Sequence, residues 1–357
     1  MATATAAVKA ELNVSEDTAW RLLGLTMLAV RFVQGWIFWG GGSRRFIYAP
    51  SKLNPHAPSW MANKFQSAMP GAILGMDHVV SYLLHHFSLL YAGVILFSAA
   101  ELVFGLFLIF GFMTRLSALV SIGFSVVLML LFGWQGATCI DEWTMAACNF
   151  GMGAALFLAG SAAYSIDARM MRRNPALAGR AWFQWLGSAP WSAQRTRSLS
   201  VLAAIVTVFF TVLTYNHYRG SVLTPFHGGP VSPAKHHVSL SGGKLATNGS
   251  VRFTAYLDAG TPAEPANIIA ATLRSSSGET VENWSGRALA ALPKSAFAND
   301  YAYNKFGTGY AGITAKMGAR ALISLPAAQP GLTLASGRYT LILHSVNGHA
   351  FKLPIQM

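Results

Sequence analysis

The first 215 residues carry long apolar runs separated by polar breaks of unequal length. Five runs come close to, or exceed, the roughly 20 apolar residues a helix needs to cross a bilayer. They are Trp20–Gly42, Leu89–Phe112, Leu116–Trp134, Met145–Ala163 and Leu199–Tyr215. Beyond residue 235 the period changes. Segments such as "VRFTAYLD", "ARALISLP" and "RYTLILHSV" are rich in β-branched and aromatic residues and end at Gly, Pro or Asn. That pattern predicts half-buried antiparallel strands. The expected architecture is an integral membrane α-helical bundle of four helices plus a fifth transmembrane helix, followed by an all-β sandwich of immunoglobulin-like type. The chain divides accordingly into a membrane bundle at 1–190, a fifth helix and linker at 191–235, and an exported β domain at 236–357.

Composition agrees with the pattern. The 357 residues are 53% hydrophobic and only 11% charged, too apolar for an ordinary soluble domain. Charge sets the orientation. Between the fourth and fifth runs lie Arg169, Arg172, Arg173, Arg180, Arg195 and Arg197 against one acid, Asp167. By the positive-inside rule this loop is cytoplasmic. The loop at 43–88, the break after Trp134 and residues 217–357 are then expected outside. The setting is the cytoplasmic membrane of a prokaryote, with the N-terminus inside and the C-terminal domain periplasmic. The first 19 residues show no cleavable signal pattern, so the first run is expected to act as an uncleaved anchor. The formal net charge is +13, yet membrane orientation accounts for much of it, which weakens a nucleic-acid reading. The exported part has 12 Lys/Arg against 5 Asp/Glu and favours a small anion instead.

Candidate chemistry gathers at the outer ends of the runs. "GWQGATCIDEWTMAACNF" (Gly133–Phe150) holds both cysteines, Cys139 and Cys148, with Asp141 and Glu142 between them. A thiol at a solvent boundary beside ionisable groups is placed to react, although two acids alone would hold Cys139 as a thiol unless an outer Arg offsets them. Cys148 is also open to the plainer reading of a small core residue. Arg44 and Arg45 are outward cations that either contact lipid phosphate or hold a small dianion through their planar donors. Lys52 and Lys64 join them. Arg31 and Glu101 lie near the middle of the first and second runs, about 18 Å deep by helical rise, and are expected to pair. Whether that pair only fixes helix register or touches a proton or quinone route stays open. Trp36, Trp39, Trp134 and Trp143 crowd the outer interface, where anchoring is the common role. Neither adjacent pair, His85-His86 or His236-His237, is a strong metal signature. There is no C-x-x-C-H and no G-x-G-x-x-G after a strand. Redox work is therefore expected to use thiols and a diffusible lipid-soluble carrier, without haem, flavin or metal.

These residues resemble a known family. "ELVFGLFLIFGFMTRLSALV" (Glu101–Val120) is similar to a helix signature of the DoxX/DoxD membrane superfamily. "RFVQGWIFWGGGSRR" and "GATCIDEWTMAACNFGMG" resemble the DoxD subunit of thiosulfate:quinone oxidoreductase. "YNKFGTGYAGITAKMGARALISLP" and "GRYTLILHSVNGHAFKLPI" resemble its DoxA subunit. The likeness covers about residues 15–190 and 217–357; in some members the two are separate polypeptides, and here they are joined. It implies oxidation of two thiosulfate ions to tetrathionate, with two electrons passing to a membrane quinone. On that reading Cys139 and Cys148 form a thiol–disulfide relay, with Asp141 and Glu142 handling protons. Arg44, Arg45 and Trp143 are then the substrate contacts, Trp36 and Trp39 the quinone contacts, and Arg31 with Glu101 the buried ion pair. The partners implied are thiosulfate, quinone and lipid; self-association stays open and nucleic acid is not expected. Two alternatives remain: a quinone-coupled oxidase of protein thiols, and a non-catalytic assembly or transport protein with a β docking domain.

Overall fold

A computed structural model describes residues 16–136, 142–225 and 231–357. Helix α1 (Glu16–Thr26) bends by 46° into α2 (Leu28–Ser43), which continues through a π-helical turn at Arg44–Tyr48. Next come a 3-10 turn (Pro50–Leu53), α3 (Met61–Ala68), a second 3-10 turn (Met69–Gly71) and α4 (Met76–His85). Helices α5 (Phe87–Phe110), α6 (Thr114–Phe132) and α7 (Glu142–Ala159) follow. After α7 the chain forms α8 (Ile166–Arg173), α9 (Ala181–Leu186) and the long α10 (Ala193–Arg219). Among the described residues α5, α6 and α10 are each long and apolar enough to cross a membrane, and the bent α1–α2 pair makes a fourth if it is one span. Where the fourth run was expected to cross, α7 is a helix of 18 residues. Glu142, Thr144 and Asn149 make its first half polar, so length and composition alone do not mark it as a span.

The chain forms two compact units. The first holds residues 1–53, 92–129 and 143–215, and the second holds 54–91, 130–142 and 216–357. From residue 54 on, the 43–88 loop falls in the same compact unit as the β domain.

In the first unit α2 and α5 approach without side chains between them. A Cβ at Gly35 would lie 2.7 Å from the Ile109 backbone nitrogen, one at Gly42 would lie 2.5 Å from that of Leu102, and one at Gly105 would meet the backbone of Trp39. Small residues at helix contacts give this close packing in apolar surroundings. At the α5–α6 turn the buried Asp167 accepts the N–H groups of Met113 (2.9 Å) and Thr114 (3.0 Å) and the hydroxyls of Thr114 and Ser188. These bonds occupy donors that the start of α6 leaves open. Arg115, also buried, donates to the carbonyls of Phe157, Gln184 and Ala189 and lies 3.7 Å over the Trp191 ring.

The second unit is built on two antiparallel sheets. Their strands are β1 (His237–Leu245), β2 (Val251–Ala259), β3 (Ala266–Ser275), β4 (Thr280–Ser285) and β5 (Phe297–Asn299), then β6 (Phe306–Gly309), β7 (Gly312–Ala315), β8 (Arg320–Leu325), β9 (Arg338–Ser345) and β10 (Ala350–Gln356). One sheet has the order β1-β2-β8-β5; the other runs β10-β9-β3-β7-β6, with β4 also on β3. Alternation places Val251, Phe253, Ala255 and Leu257 of β2 inside, with Leu273, Leu341 and Leu343 buried from the second sheet. The segment around α3 is fastened to the β domain by buried amides. Gln66 Nε2 donates to the carbonyls of Asn304 (2.8 Å) and Gly318 (2.9 Å), and Gln66 Oε1 accepts the Asn304 N–H at 2.8 Å. Asn304 Nδ2 donates in turn to the carbonyls of Asn63 and Met317. The Tyr301 hydroxyl is 2.9 Å from that of Ser81 on α4.

Candidate functional site

Within the second unit a cleft of about 530 Å³ lies between α3, the segment after α6 and the β2–β3 and β7–β8 connections. Helix α3 contributes Asn63, Lys64 and Ser67, and the β side contributes Thr261–Pro265, Asn304, Lys316 and Met317. Gln135 and Glu142 complete the wall. Lys64 reaches Glu142 with 2.7 Å between Nζ and Oε1, and its ammonium lies 5.1 Å from the centre of the Phe132 ring. It points into the cleft because the opposite face of α3 buries Gln66 in the amide network. Gln135 Nε2 donates to the Ser67 carbonyl at 2.9 Å, and Trp134 Nε1 to that of Ala68 at 2.8 Å. Arg219, at the end of α10, donates to the Gly136 carbonyl at 3.2 Å. The walls thus present two ammonium groups, Lys64 half-exposed and Lys316 exposed, with Glu142 and Glu264 as competing carboxylates, while the side-chain amides of Asn304 and Gln135 are spent on protein carbonyls. Such a lining suits a small anion that displaces Glu142 from Lys64.

Cys139 and Asp141 lie outside the described residues. They fall between Gly136 and Glu142 in the chain, and the flanking Gln135 and Glu142 both line the cleft. Cys148 is described. It is exposed on α7, whose Ala146, Asn149 and Phe150 face inward, so it is not a packed core residue.

The other expected residues lie in the first unit. Arg31 and Glu101 are both buried, as the cost of exposing charge to lipid requires, but they do not pair. Arg31 donates to the Ser161 hydroxyl and to the carbonyls of Ala163 (3.3 Å) and Tyr164 (2.7 Å). Glu101 is bound by Arg45. The reason is register. The first span runs on past Gly42 to Tyr48, so Arg31 lies level with Gly111 at the far end of α5, whereas Glu101 lies beside Gly41. From 31 to 41 is ten residues, about 15 Å of helix.

Arg45 is accordingly not an open anion ligand. Its guanidinium is committed to Glu101, lies 3.5 Å from the Ser98 hydroxyl and covers the Phe97 ring. The π-helical turn, with one extra residue per turn, brings Arg45 to α5 and leaves Arg44 exposed. Trp143 is also committed: it is buried, its indole N–H donates to Thr214 Oγ1 at 3.0 Å, and its ring meets Tyr215 edge-on, which ties α7 to α10. Trp36 and Trp39 do come together, with centroids 4.9 Å apart. Phe32 stacks on Trp36 at 5.9 Å, and the exposed ring of Trp36 leaves a flat aromatic face open to a lipid-phase ligand.

Lys316, Gln135, Asn304 and Gln66 had no local signal in the chain. Gln66 and Asn304 are 238 positions apart, and only the tertiary fold brings them together. Residues 26–190 match the family described as TQO small subunit DoxD, and residues 218–353 match the one described as TQO small subunit DoxA. Asn63, Lys64, Gln135 and Glu142 come to the cleft from the first match, and Thr261–Pro265, Asn304 and Lys316 from the second.

Proposed function

The chain joins a DoxD and a DoxA domain and belongs to the thiosulfate:quinone oxidoreductases; on that premise we propose that it couples two thiosulfate ions into tetrathionate at the outer membrane face, through a Cys139–Cys148 relay that reduces quinone. The observation that carries this reading is the joint cleft, where cations from both domains meet the two flanks of the Cys139 segment. Thiosulfate is a dianion, and Lys64 and Lys316 supply the charge to hold it. The charge pattern expects the 43–88 loop, the break after Trp134 and residues 217–357 on the outer side, and most of the described residues of these segments fall in one compact unit, which supports placing them on one side of the membrane.

The steps balance. The sulfane sulfur of one thiosulfate attacks the cysteine disulfide, forms a Cys–S–S–SO3 adduct and releases the other thiolate. The sulfane sulfur of a second thiosulfate attacks the adduct's sulfane sulfur, which forms tetrathionate and frees the second thiolate. Both cysteines take up a proton, with Asp141 and Glu142 as the nearby carboxylates in sequence. Quinone then takes two electrons and two protons and restores the disulfide. The exposed Trp36–Trp39 face is a place for its head group, and exposed Arg44 adds positive charge at the end of α2.

The test is thiosulfate-dependent reduction of a quinone analogue by the purified chain, with tetrathionate measured. Cys139→Ser should abolish turnover, and Cys148→Ser should abolish it while retaining a thiosulfate-derived adduct on Cys139 by intact mass. Full activity in Cys148→Ser would remove the relay. Lys64→Gln and Lys316→Gln should each raise KM for thiosulfate by about 10-fold or more, the loss of a charge-assisted contact. An unchanged KM in both would move the anion site elsewhere.

A further inference from the structure

A second basic concavity lies wholly on the β domain, and the chemistry above does not use it. It is an open groove of about 940 Å³ where β1 and β10 supply the walls. Lys235, His236, His237, His349 and Lys352 line it, with Asp258 as its one carboxylate. That carboxylate is already shared: His237 Nδ1 lies 2.6 Å from Asp258 Oδ1, and the Ser239 hydroxyl donates to Asp258 Oδ2. The His237 ring also meets Phe351 edge-on at 5.6 Å, so the imidazole is held in one orientation, with Nε2 as its uncommitted polar atom. The His236 ring packs against Gly260, and its buried Nε2 has no hydrogen-bond partner. Among the described residues no acid pairs with Lys235 or Lys352, and no cluster of three or more His, Cys, Asp or Glu could hold a metal ion. Two ammonium groups beside a histidine cluster repel a cation and concentrate an anion.

We propose that this groove is a binding subsite for the sulfur oxyanions of the reaction, thiosulfate and tetrathionate. The inference rests on the function proposed above. Both anions pair hard sulfonate oxygens with softer, more polarisable sulfur, terminal in thiosulfate and divalent in tetrathionate. The lysines and histidines match the sulfonate ends, while Phe351 and Leu240 offer an apolar and aromatic wall to the softer sulfur. Sulfate has oxygen on every side and gains nothing from that wall. The β domain on this view captures the anions as well as completing the cleft.

The experiment is equilibrium binding of sulfur-35-labelled thiosulfate to the full chain in detergent at low salt, with no quinone present. The wild type should show two classes of site. Lys235→Gln/Lys352→Gln, checked for an unchanged melting temperature, should weaken one class by about tenfold or more and leave the other. Lys64→Gln/Lys316→Gln should remove the other class instead. Unlabelled tetrathionate should compete at the groove, and sulfate should compete at least about tenfold more weakly. An unchanged isotherm in Lys235→Gln/Lys352→Gln, or sulfate competing as well as thiosulfate there, would overturn the assignment. Because turnover is not measured, a chain that binds at the groove but forms no tetrathionate would count against the proposed function and not against the groove.

Discussion

Arg45 and Glu101 are held as a closed pair, so each protects the other from an apolar surround. Glu101→Gln or Arg45→Gln alone should destabilise the chain by roughly 3–5 kcal/mol, because either leaves one buried charge uncompensated. The double variant should recover a large part of that loss, read as a thermal-shift cycle. The corresponding cycle between Arg31 and Glu101 should be additive; strong coupling there would contradict the register described above. Glu282 gives a pH signature in the β domain. Burial pushes its carboxyl above the ordinary 4.5, against hydrogen bonds from the N–H groups of Ala328 and Gln329. The folded chain therefore keeps this proton to higher pH than the unfolded one. Its contribution to stability is present below the unfolded pKa, falls as pH rises toward the folded value and is lost above it. Glu282→Gln should remove that component from the melting temperature measured from pH 4 upward, and an unchanged slope would rule Glu282 out as its source. That Arg31 and Glu101 are buried was legible in the chain, since lipid penalises exposed charge. Their partners were not, because counting depth from Gly42 missed the π-helical turn that carries the helix on to Tyr48.

At the scale of elements, the glycines of α2 and α5 set how near those helices can lie. Gly105→Ala should cost about 1–3 kcal/mol by overpacking against Trp39. Gly93→Ala in the same α5 meets nothing within 4 Å and should leave the melting temperature unchanged or raised. Equal effects from the two would mean that helix contact is not what Gly105 provides. Long elements were readable because period and burial agree: "VRFTAYLD" falls within β2, and the apolar runs give α2, α5, α6, α7 and α10. What was not readable is which face of α3 meets the β domain, because Asn304, the partner of its Gln66, lies 238 positions away. The ends of the expected second and fourth spans also moved, since α5 begins at Phe87 and α7 at Glu142.

At the scale of the whole molecule, the charge pattern expects Arg172 inside and the 43–88 loop and residues 217–357 outside. A single cysteine placed at Arg172 in a chain lacking Cys139 and Cys148 should react with a membrane-impermeant maleimide only after permeabilisation; labelling in intact cells would invert the arrangement. The reciprocal bonds between Gln66 and Asn304 join a stretch of the DoxD match to the DoxA match. They do not depend on the peptide that links the two. Nicking at a protease site inserted between Gly228 and Gly229 should therefore leave both fragments eluting together, and Gln66→Ala should let them separate on dilution. The linker's contribution is then an effective concentration, of millimolar order for a short tether. A fused gene and a split pair of genes would encode the same joint cleft, and differ only in how dilute the membrane can become before it falls apart.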